Sequence, residues 1–228
     1  MALTIVIGNK TYSSWSLRGW LAVRHTGLAF REIMLPLDTP EFYERIRDYS
    51  PSGFVPALIH NGTTKVWDSL AIIDYCARLA PQKFWWPDND AAFGFARSMT
   101  AEMHSGFMAL RRAAPFNTKA KYRGLALSPA VAADVKRIDA LWSEAIERFG
   151  DGGPYLFGGF SAADMMYAPI VGRFLAYGVS LSPAATAYAM AVRSNAGVSE
   201  WYDAAKDETL VVAADEIDPA TTMLGDPA

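Results

Sequence analysis

Three short motifs in the first 70 residues carry the side chains that could do chemistry. The first is the run Ser13-Ser14-Trp15-Ser16, which lies between a β-branched segment and an apolar segment with helical spacing. In open α/β folds, the loop from a strand to a helix N-terminus binds anions, because that terminus carries partial positive charge. The hydroxyl group of Ser13 or Ser14 could donate to such an anion. Adjacent serines also simply fill turns, and we assign Ser16 to capping the helix.

The other two motifs are dipeptides that precede predicted regular elements. Val55-Pro56 comes before a strand-like run, and Asp68-Ser69 comes before a run whose apolar positions have helical spacing. An acidic residue and a serine at a helix N-terminus can cap the helix, and they can also bind the ammonium and carboxylate groups of a ligand. Both roles of Asp68-Ser69 can hold together, because the same N-terminus serves the helix and the ligand.

The first 80 residues are predicted to form an α/β module that positions these motifs. Glycine and proline separate its periodic segments, and Asn61-Gly62 is a strong signal for an antiparallel hairpin. The predicted order is strand, helix, strand, helix, strand, strand and helix, at residues 3–7, 17–25, 30–35, 39–47, 57–60, 65–67 and 70–79. This order predicts a mixed sheet with helices.

The rest of the chain is predicted to be helical. The pattern breaks over residues 83–90, which we interpret as a linker, and strand-like runs are scarce beyond it. Helical periods occur near residues 91–112, 128–149, 161–177, 183–194 and 198–207. The sequence therefore predicts an α+β protein with an α/β domain at 1–82, a linker at 83–90 and an all-α domain at 91–228.

Composition excludes several classes of protein. The 228 residues are 51% hydrophobic, which excludes a disordered or collagen-like chain, and the net charge of −3 with no basic cluster argues against a nucleic-acid partner. The single cysteine, Cys76, cannot form an internal disulfide, and no Cys/His group suggests zinc. The apolar start, residues 1–7, is too short for a signal peptide or a membrane span. We predict a cytoplasmic protein that needs no metal.

Four motifs in sequence order resemble the cytosolic glutathione transferase superfamily. Ser13-Ser14-Trp15-Ser16 resembles the Ser-Ser-Cys-Ser signature of the zeta class, with Trp15 in place of cysteine. Val55-Pro56 resembles the valine and cis-proline before strand 3 of thioredoxin-like proteins, and Asp68-Ser69 is similar to the acidic-or-Gln plus Ser pair that opens helix 3. Ser161 to Asp164 is similar to the capping box of the second domain's core helix. The chain resembles a bacterial branch of the superfamily more than any well-defined class.

The resemblance implies a thioredoxin-like N-terminal domain that binds glutathione as co-substrate. Ser13 or Ser14 would donate to the glutathione sulfur, with Ser13 favoured by the zeta pattern, and Trp15 would contribute to the same site. Val55, before the cis-bonded Pro56, would pair with the cysteinyl main chain as an added strand. Asp68 would bind the ligand's ammonium group, and Ser69 its α-carboxylate.

The resemblance also implies a helical C-terminal domain that binds a small electrophile, and a homodimer that joins the N-terminal domain of one subunit to the helical domain of the other. His104 and Arg111 lie on the first long helix of that domain, which faces the substrate cleft in the superfamily. Arg111 could hold a carboxylate on the substrate, and a solvated helix face is the alternative. The implied role of the protein is detoxification.

Trp15 departs from the zeta signature in a way that matters for the reaction. It removes the thiol that assists isomerisation in zeta-class enzymes, and no other cysteine occurs in the loop to form the mixed disulfides of reductive relatives. The sequence therefore favours a glutathione transferase. The alternatives are a glutathione-dependent isomerase or dehalogenase, and a catalytically silent binding protein with the same fold.

Overall fold

The computed structural model of the chain describes residues 2–122, 124–125 and 127–217. Strands and helices alternate over the first part of the chain, and helices follow. In chain order the elements are β1 (Leu3–Ile7), α1 (Ser14–His25), β2 (Phe30–Met34), α2 (Pro40–Tyr49), β3 (Ala57–His60), β4 (Thr64–Trp67), α3 (Ser69–Leu79), α4 (Asp90–Ser105), α5 (Met108–Ala113), α6 (Pro129–Phe149), α7 (Ala162–Ala176), α8 (Pro183–Arg193), α9 (Ala196–Ala205) and a 3₁₀ turn (Ala213–Asp215). The predicted α+β class is confirmed.

The chain forms two compact units. The first contains the described residues up to Lys83 together with Ala196–Ala214, and the second contains the described residues of Phe84–Asn195 together with those at 215–217. The sequence assigns α9 to the helical domain, whereas in the structure α9 packs with the first unit. Residues 218–228 of the predicted helical domain lie outside the described residues.

The first unit is built on a four-stranded mixed sheet with the strand order β2-β1-β3-β4. β1 pairs in parallel with β2 and antiparallel with β3, and β3 pairs antiparallel with β4. Asn61 and Gly62 between β3 and β4 both have positive φ, a conformation that these two residue types tolerate well. The predicted hairpin and mixed sheet are therefore confirmed.

Helices cover the two faces of this sheet because its central strand is apolar on both. Successive residues of a strand point to opposite faces. Val6 belongs to a core cluster with Phe42 and Ile46 of α2, whereas Ile5 and Ile7 are fully buried on the other side of β1. On that side α1 and α3 pack against each other. This packing places the N-termini of α1 and α3 beside one edge of the sheet.

The second unit is organised around α7, which is buried along nearly its whole length. Trp142 of α6 makes edge contacts with aromatic rings of α7 and α8, at centroid distances of 5.6 Å to Tyr167, 5.5 Å to Phe174 and 4.8 Å to Tyr188. None of the helices within the described part of the chain has both the length and the hydropathy to cross a bilayer.

α1 begins at Ser14 rather than at Leu17, and its N-cap is Ser13. The Ser13 hydroxyl oxygen accepts the Ser16 N–H at 3.3 Å. The Ser16 hydroxyl faces the end of β1, where its oxygen accepts the Gly8 N–H at 3.0 Å. The assignment of Ser16 to the cap is therefore wrong, because its side chain lies inside the first turn and is bonded to the strand.

The helical period predicted over residues 91–112 is interrupted between α4 and α5. α4 ends before Gly106, and Phe107 has a left-handed φ of 59°. Arg111 donates from Nε to the Gly106 carbonyl at 2.9 Å, and its guanidinium also donates to the Met103 carbonyl. These bonds satisfy carbonyl groups that the end of α4 leaves without intrahelical donors. The break is thus stabilised by a side chain that follows it.

Candidate functional site

The three motifs of the first unit lie at one edge of the sheet. The register pairs Val6 of β1 with Ala57 of β3, and Ala57 with Trp67 of β4. Three segments therefore lie next to one another at this edge. They are the loop after β1, the Val55-Pro56 dipeptide before β3 and the Asp68-Ser69 dipeptide after β4. Adjacent strands are about 4.8 Å apart, so the three strands span about 10 Å. That distance suits a ligand about three residues long.

Ser13 and Ser14 lie at the N-terminus of α1, and both are 7% exposed. The Ser13 hydroxyl donates to the Ser16 hydroxyl oxygen at 2.7 Å, in addition to accepting the Ser16 N–H. The Ser14 N–H donates to the Tyr12 carbonyl at 3.0 Å. To donate to a ligand, the Ser13 hydroxyl must turn away from Ser16, whose oxygen keeps its bond from the Gly8 N–H.

The N-terminus of α1 keeps its partial positive charge. Its first turn contains no acidic residue, and Arg24 and His25 lie in its last turn. An acidic side chain in the first turn would offset the dipole, and basic side chains in the last turn complement its negative end. The environment of Ser13 and Ser14 therefore favours an anion.

Trp15, predicted to contribute to the ligand site, is half-buried beside an arginine. The guanidinium carbon of Arg18 lies 4.3 Å from the centroid of the Trp15 ring, and Arg18 is fully buried. A cation over an aromatic ring is stabilised electrostatically, and more so away from water. Arg18 is not part of any motif predicted from the sequence. A charged residue on the apolar face of a helix is the signal that could have found it.

The peptide bond between Val55 and Pro56 is cis, as the resemblance implied. Within the described residues, neither the N–H nor the C=O of Val55 forms a hydrogen bond with another main-chain group. A residue with both main-chain groups available beside a strand can accept an extended peptide as an added strand. Val55 itself packs against the cluster that contains Val6 and Ala57, which holds its main chain in place.

Asp68 and Ser69 form the start of α3. Asp68 has φ 78° and is exposed, and its Oδ1 accepts the N–H groups of Leu70 at 2.8 Å and Ala71 at 3.3 Å. Positive φ is unusual for a residue other than glycine, and such conformations cluster at ligand sites. Ser69 is 1% exposed, and its hydroxyl forms no hydrogen bond with any described residue. A buried hydroxyl without a partner costs about 1–3 kcal/mol, which a bound acceptor would recover.

The two side chains predicted to bind a second substrate lie in the second unit. His104 is in the last turn of α4, and Arg111 is in α5. Arg111 already donates to the Met103 and Gly106 carbonyls, and burial lowers the pKa of its guanidinium. The substrate-binding role of both residues stays a prediction.

Two further observations concern the cysteine and the possible metal ligands of the described residues. Burial raises the pKa of the Cys76 thiol to about 12, so it stays protonated on the buried face of α3. Across the described ranges, no group of three or more His, Cys, Asp or Glu side chains is placed to bind a metal ion.

Models of protein families match both parts of the chain. The model described as Glutathione S-transferase, N-terminal domain, matches residues 12–79, and the model described as Glutathione S-transferase, C-terminal domain, matches residues 128–204. Together these segments cover more than half of the sequence. Among curated proteins, the chain is similar to Protein IN2-1 homolog B from Oryza sativa, with 29% identity over 163 residues. That alignment covers 70% of this chain and 61% of the rice protein.

Solved structures with the same fold cover nearly the whole chain. A glutathione transferase homologue from Burkholderia gl BGR1 with bound glutathione has a TM-score of 0.69 at 20% identity, over 91% of this chain and 100% of that one. A bacterial zeta-class protein, maleyl pyruvate isomerase, has a TM-score of 0.69 at 17% identity with the same coverage. A theta-class enzyme from Xanthomonas axonopodis pv. citri with bound glutathione has a TM-score of 0.61 at 21% identity, over 92% of this chain and 99% of that one.

Proposed function

Because the chain belongs to the glutathione S-transferase superfamily, we propose that it binds reduced glutathione and adds the glutathione sulfur to a small electrophile. The observation that carries this proposal is the convergence of three complementary groups at one sheet edge. They are the hydroxyls at the start of α1, the available main chain of Val55 and the buried hydroxyl of Ser69, which has no partner among the described residues. Each suits a different part of one short peptide. Two structural relatives with bound glutathione support the same ligand.

Val55 is proposed to bind the central, cysteinyl residue of glutathione. Its N–H and C=O can form two hydrogen bonds with the ligand's main chain, as in an antiparallel pair of strands. These bonds orient the ligand independently of its side chains. The cysteinyl side chain would then lie on the side of the N-terminus of α1. This orientation brings the sulfur to Ser13 and Ser14, while Pro56 and Trp15 border the site.

Asp68 and Ser69 are proposed to bind the γ-glutamyl end of the ligand. The exposed carboxylate of Asp68 can pair with the ammonium group. The Ser69 hydroxyl and the Ser69 N–H, which has no intrahelical acceptor at the first position of α3, can donate to the α-carboxylate. A zwitterionic ligand end would therefore have a matching partner for each charge.

The chemistry requires a thiolate. A thiol with a pKa of about 8.5 is only about 3% ionised at pH 7. A hydrogen bond from a serine hydroxyl, together with the helix N-terminus, can stabilise the thiolate by about 2.7 kcal/mol, which lowers the pKa by about two units. The thiolate would then be the main form at pH 7. Its sulfur forms a bond to the electrophilic carbon, the leaving group departs with the bonding electron pair, and the thiol proton has already gone to solvent.

The second substrate is proposed to bind in the helical unit, with His104 and Arg111 as candidate contacts. We further propose that the enzyme is a cytoplasmic homodimer of a bacterial branch of the superfamily and that it acts in detoxification. The alternatives are a glutathione-dependent isomerase or dehalogenase and a silent binding protein, and the experiment below distinguishes the transferase from all three.

Calorimetry with reduced glutathione, followed by an assay with a chloronitroaromatic substrate, tests the proposal. We expect binding and turnover in the unmodified chain. Binding without turnover would favour an isomerase, a dehalogenase or a silent binding protein, and no binding would contradict the proposal. Asp68→Ala and Ser69→Ala should each weaken glutathione binding, by about 1–2 kcal/mol, and an unchanged dissociation constant would remove that residue from the site.

The ultraviolet absorbance of the bound thiolate, measured against pH, identifies the serine that contacts the sulfur. Ser13→Ala or Ser14→Ala should raise the pKa of bound glutathione by about one unit or more. Ser98→Ala is a matched control, because that hydroxyl lies on α4 and donates to the Gly94 carbonyl at 2.7 Å. If neither Ser13→Ala nor Ser14→Ala changes the pKa, serine activation is wrong.

A further inference from the structure

A carboxylate from the far end of the chain holds the loop that leads to Ser13. Glu208, three residues beyond the end of α9, accepts two consecutive main-chain N–H groups of this loop. Its Oε1 accepts the Lys10 N–H at 2.7 Å, and its Oε2 accepts the Thr11 N–H at 2.8 Å. Hydrogen bonds to a charged acceptor are shorter and stronger than neutral ones. All of these residues belong to the first unit.

These two bonds add to the hydrogen bonds that the loop forms within itself. The N–H groups of Tyr12 and Ser13 both donate to the Asn9 carbonyl, at 3.2 and 2.8 Å. The Lys10 and Thr11 N–H groups do not donate within the loop; they donate to the Glu208 carboxylate. Without the carboxylate, the loop loses the anchor immediately before the residues that are proposed to activate the thiol.

A second anchor comes from α9 itself. The Trp201 indole N–H donates to the Lys10 carbonyl at 2.9 Å, and the Lys10 ammonium lies 5.4 Å from the ring centroids of both Trp201 and Trp20. The same ammonium is 2.8 Å from the Glu32 carboxylate. Lys10 is thus held at its N–H, its C=O and its side chain.

We propose that Glu208 is a positioning residue for the proposed reaction, and that it fixes the loop so that the serine hydroxyls meet the glutathione sulfur. This inference rests on the proposed function. Its physical reason is that catalysis requires alignment within about half an ångström, and a displacement of about 1 Å can lower a rate by about a hundredfold. Glu208 itself does not contact the reacting atoms.

Kinetics with Glu208→Ala and Glu208→Gln test the proposal. We expect kcat to fall about tenfold and the pKa of the bound thiol to rise, while KM for glutathione changes much less, because Val55, Asp68 and Ser69 are untouched. Glu208→Gln should behave similarly, since its amide group places N–H donors against one of the two main-chain donors. It also keeps the size of the side chain, should Glu208→Ala fail to fold.

Glu200→Ala is the matched control. Glu200 lies on α9, eight residues before Glu208, but its carboxylate is half exposed and binds the side chain of Arg24 on α1 at 2.5 Å. An exposed ion pair contributes little to stability and this one does not touch the loop. We expect the pH profile and kcat of Glu200→Ala to match those of the unmodified chain.

Amide hydrogen exchange provides a readout that does not depend on turnover. Exchange at Lys10 and Thr11 should accelerate in both Glu208 variants and not in Glu200→Ala. Unchanged exchange would overturn the anchoring, and faster exchange with an unchanged pH profile and kcat would overturn the positioning role. If the unmodified chain does not bind glutathione in calorimetry, the proposed function fails first and the positioning role fails with it, whatever the exchange rates.

Discussion

At the residue scale, Cys76 and Asp164 both show that burial disfavours a charged side chain. The Cys76 thiol has no compensating group, and its pKa rises to about 12. Asp164, at the start of α7, accepts the Ser161 N–H and hydroxyl, both at 2.7 Å, and the Leu156 N–H at 3.3 Å. Its pKa still rises to about 6, with burial the largest cause, although these bonds act to lower it. Desolvation therefore outweighs the three donors.

We predict that the Cys76 thiol does not react in the folded protein. A thiol with a pKa of about 12 has almost no thiolate at pH 8, and the residue is fully buried. A disulfide reagent should modify about one thiol per chain in denaturant and almost none without it. Rapid modification of the folded chain would contradict this.

Asp164 should make stability depend on pH. Its folded-state pKa of about 6 exceeds its ordinary value of 3.8, so between these values the folded state binds the proton more tightly than the unfolded state. The resulting stabilisation is complete below pH 3.8 and is lost as the pH rises through about 6. Relative to Asp164→Asn, the free energy of unfolding should fall by up to about 3 kcal/mol across this window. Denaturant titrations of both proteins at several pH values would measure it, and a constant difference would contradict it.

At the scale of elements, the close approach of α1 to Pro56 connects two parts of the proposed glutathione site. A Cβ atom at Gly19 would lie 2.8 Å from Pro56 Cγ and 3.1 Å from Pro56 Cβ. α1 can therefore reach the Val55-Pro56 dipeptide only because Gly19 has no side chain. The helix that carries Ser13 and Ser14 is thereby packed directly on the residue that follows Val55.

Gly19→Ala should lower the free energy of unfolding by about 1–2 kcal/mol, because overpacking outweighs the better helix propensity of alanine. It should also weaken glutathione binding, since Pro56 must move. Gly94→Ala is the control: Gly94 is inside α4, and its Cβ would meet nothing within 4 Å. That variant should be more stable by about 0.5–1 kcal/mol. Similar changes in both variants would show that the contact with Pro56 is unimportant.

At the scale of the whole molecule, a late segment of the chain, Ala196–Ala214, belongs to the same compact unit as the N-terminal residues. After the helices of the second unit, α9 packs with α1, and Glu200 and Glu208 bond to residues near the N-terminus. The last helix therefore completes the unit that carries the proposed glutathione site. A chain truncated before Ala196 would lack this part of the unit.

The homodimer that the resemblance implies predicts a mass of two chains in sedimentation equilibrium at micromolar concentration. Phe54, beside Val55, is 72% exposed in the single chain, and we predict that the homodimer interface covers it. Phe54→Ala should therefore shift the equilibrium toward the monomer. A monomer in the unmodified chain would contradict the prediction.

Local sequence signals predicted much of the fold. The order of the elements in the first 80 residues and the hairpin at Asn61-Gly62 follow from residue types within a few positions of each other. The break at Gly106 did not follow, because the bonds from Arg111 that stabilise it come from the next helix. Likewise serine is a residue type that commonly caps helices, but the Ser16 hydroxyl oxygen accepts the Gly8 N–H at the end of β1.

The sequence by itself determined the α+β class, the mixed sheet and the three motifs, because hydrophobic period, turn residues and caps act over short distances along the chain. Only the tertiary structure decided that α9 joins the first unit and that Glu208 binds the loop before Ser13. Nothing near residue 208 indicates a partner 197 positions away. Such contacts depend on how packed elements meet in space, and the sequence of one chain does not show which distant residues become neighbours.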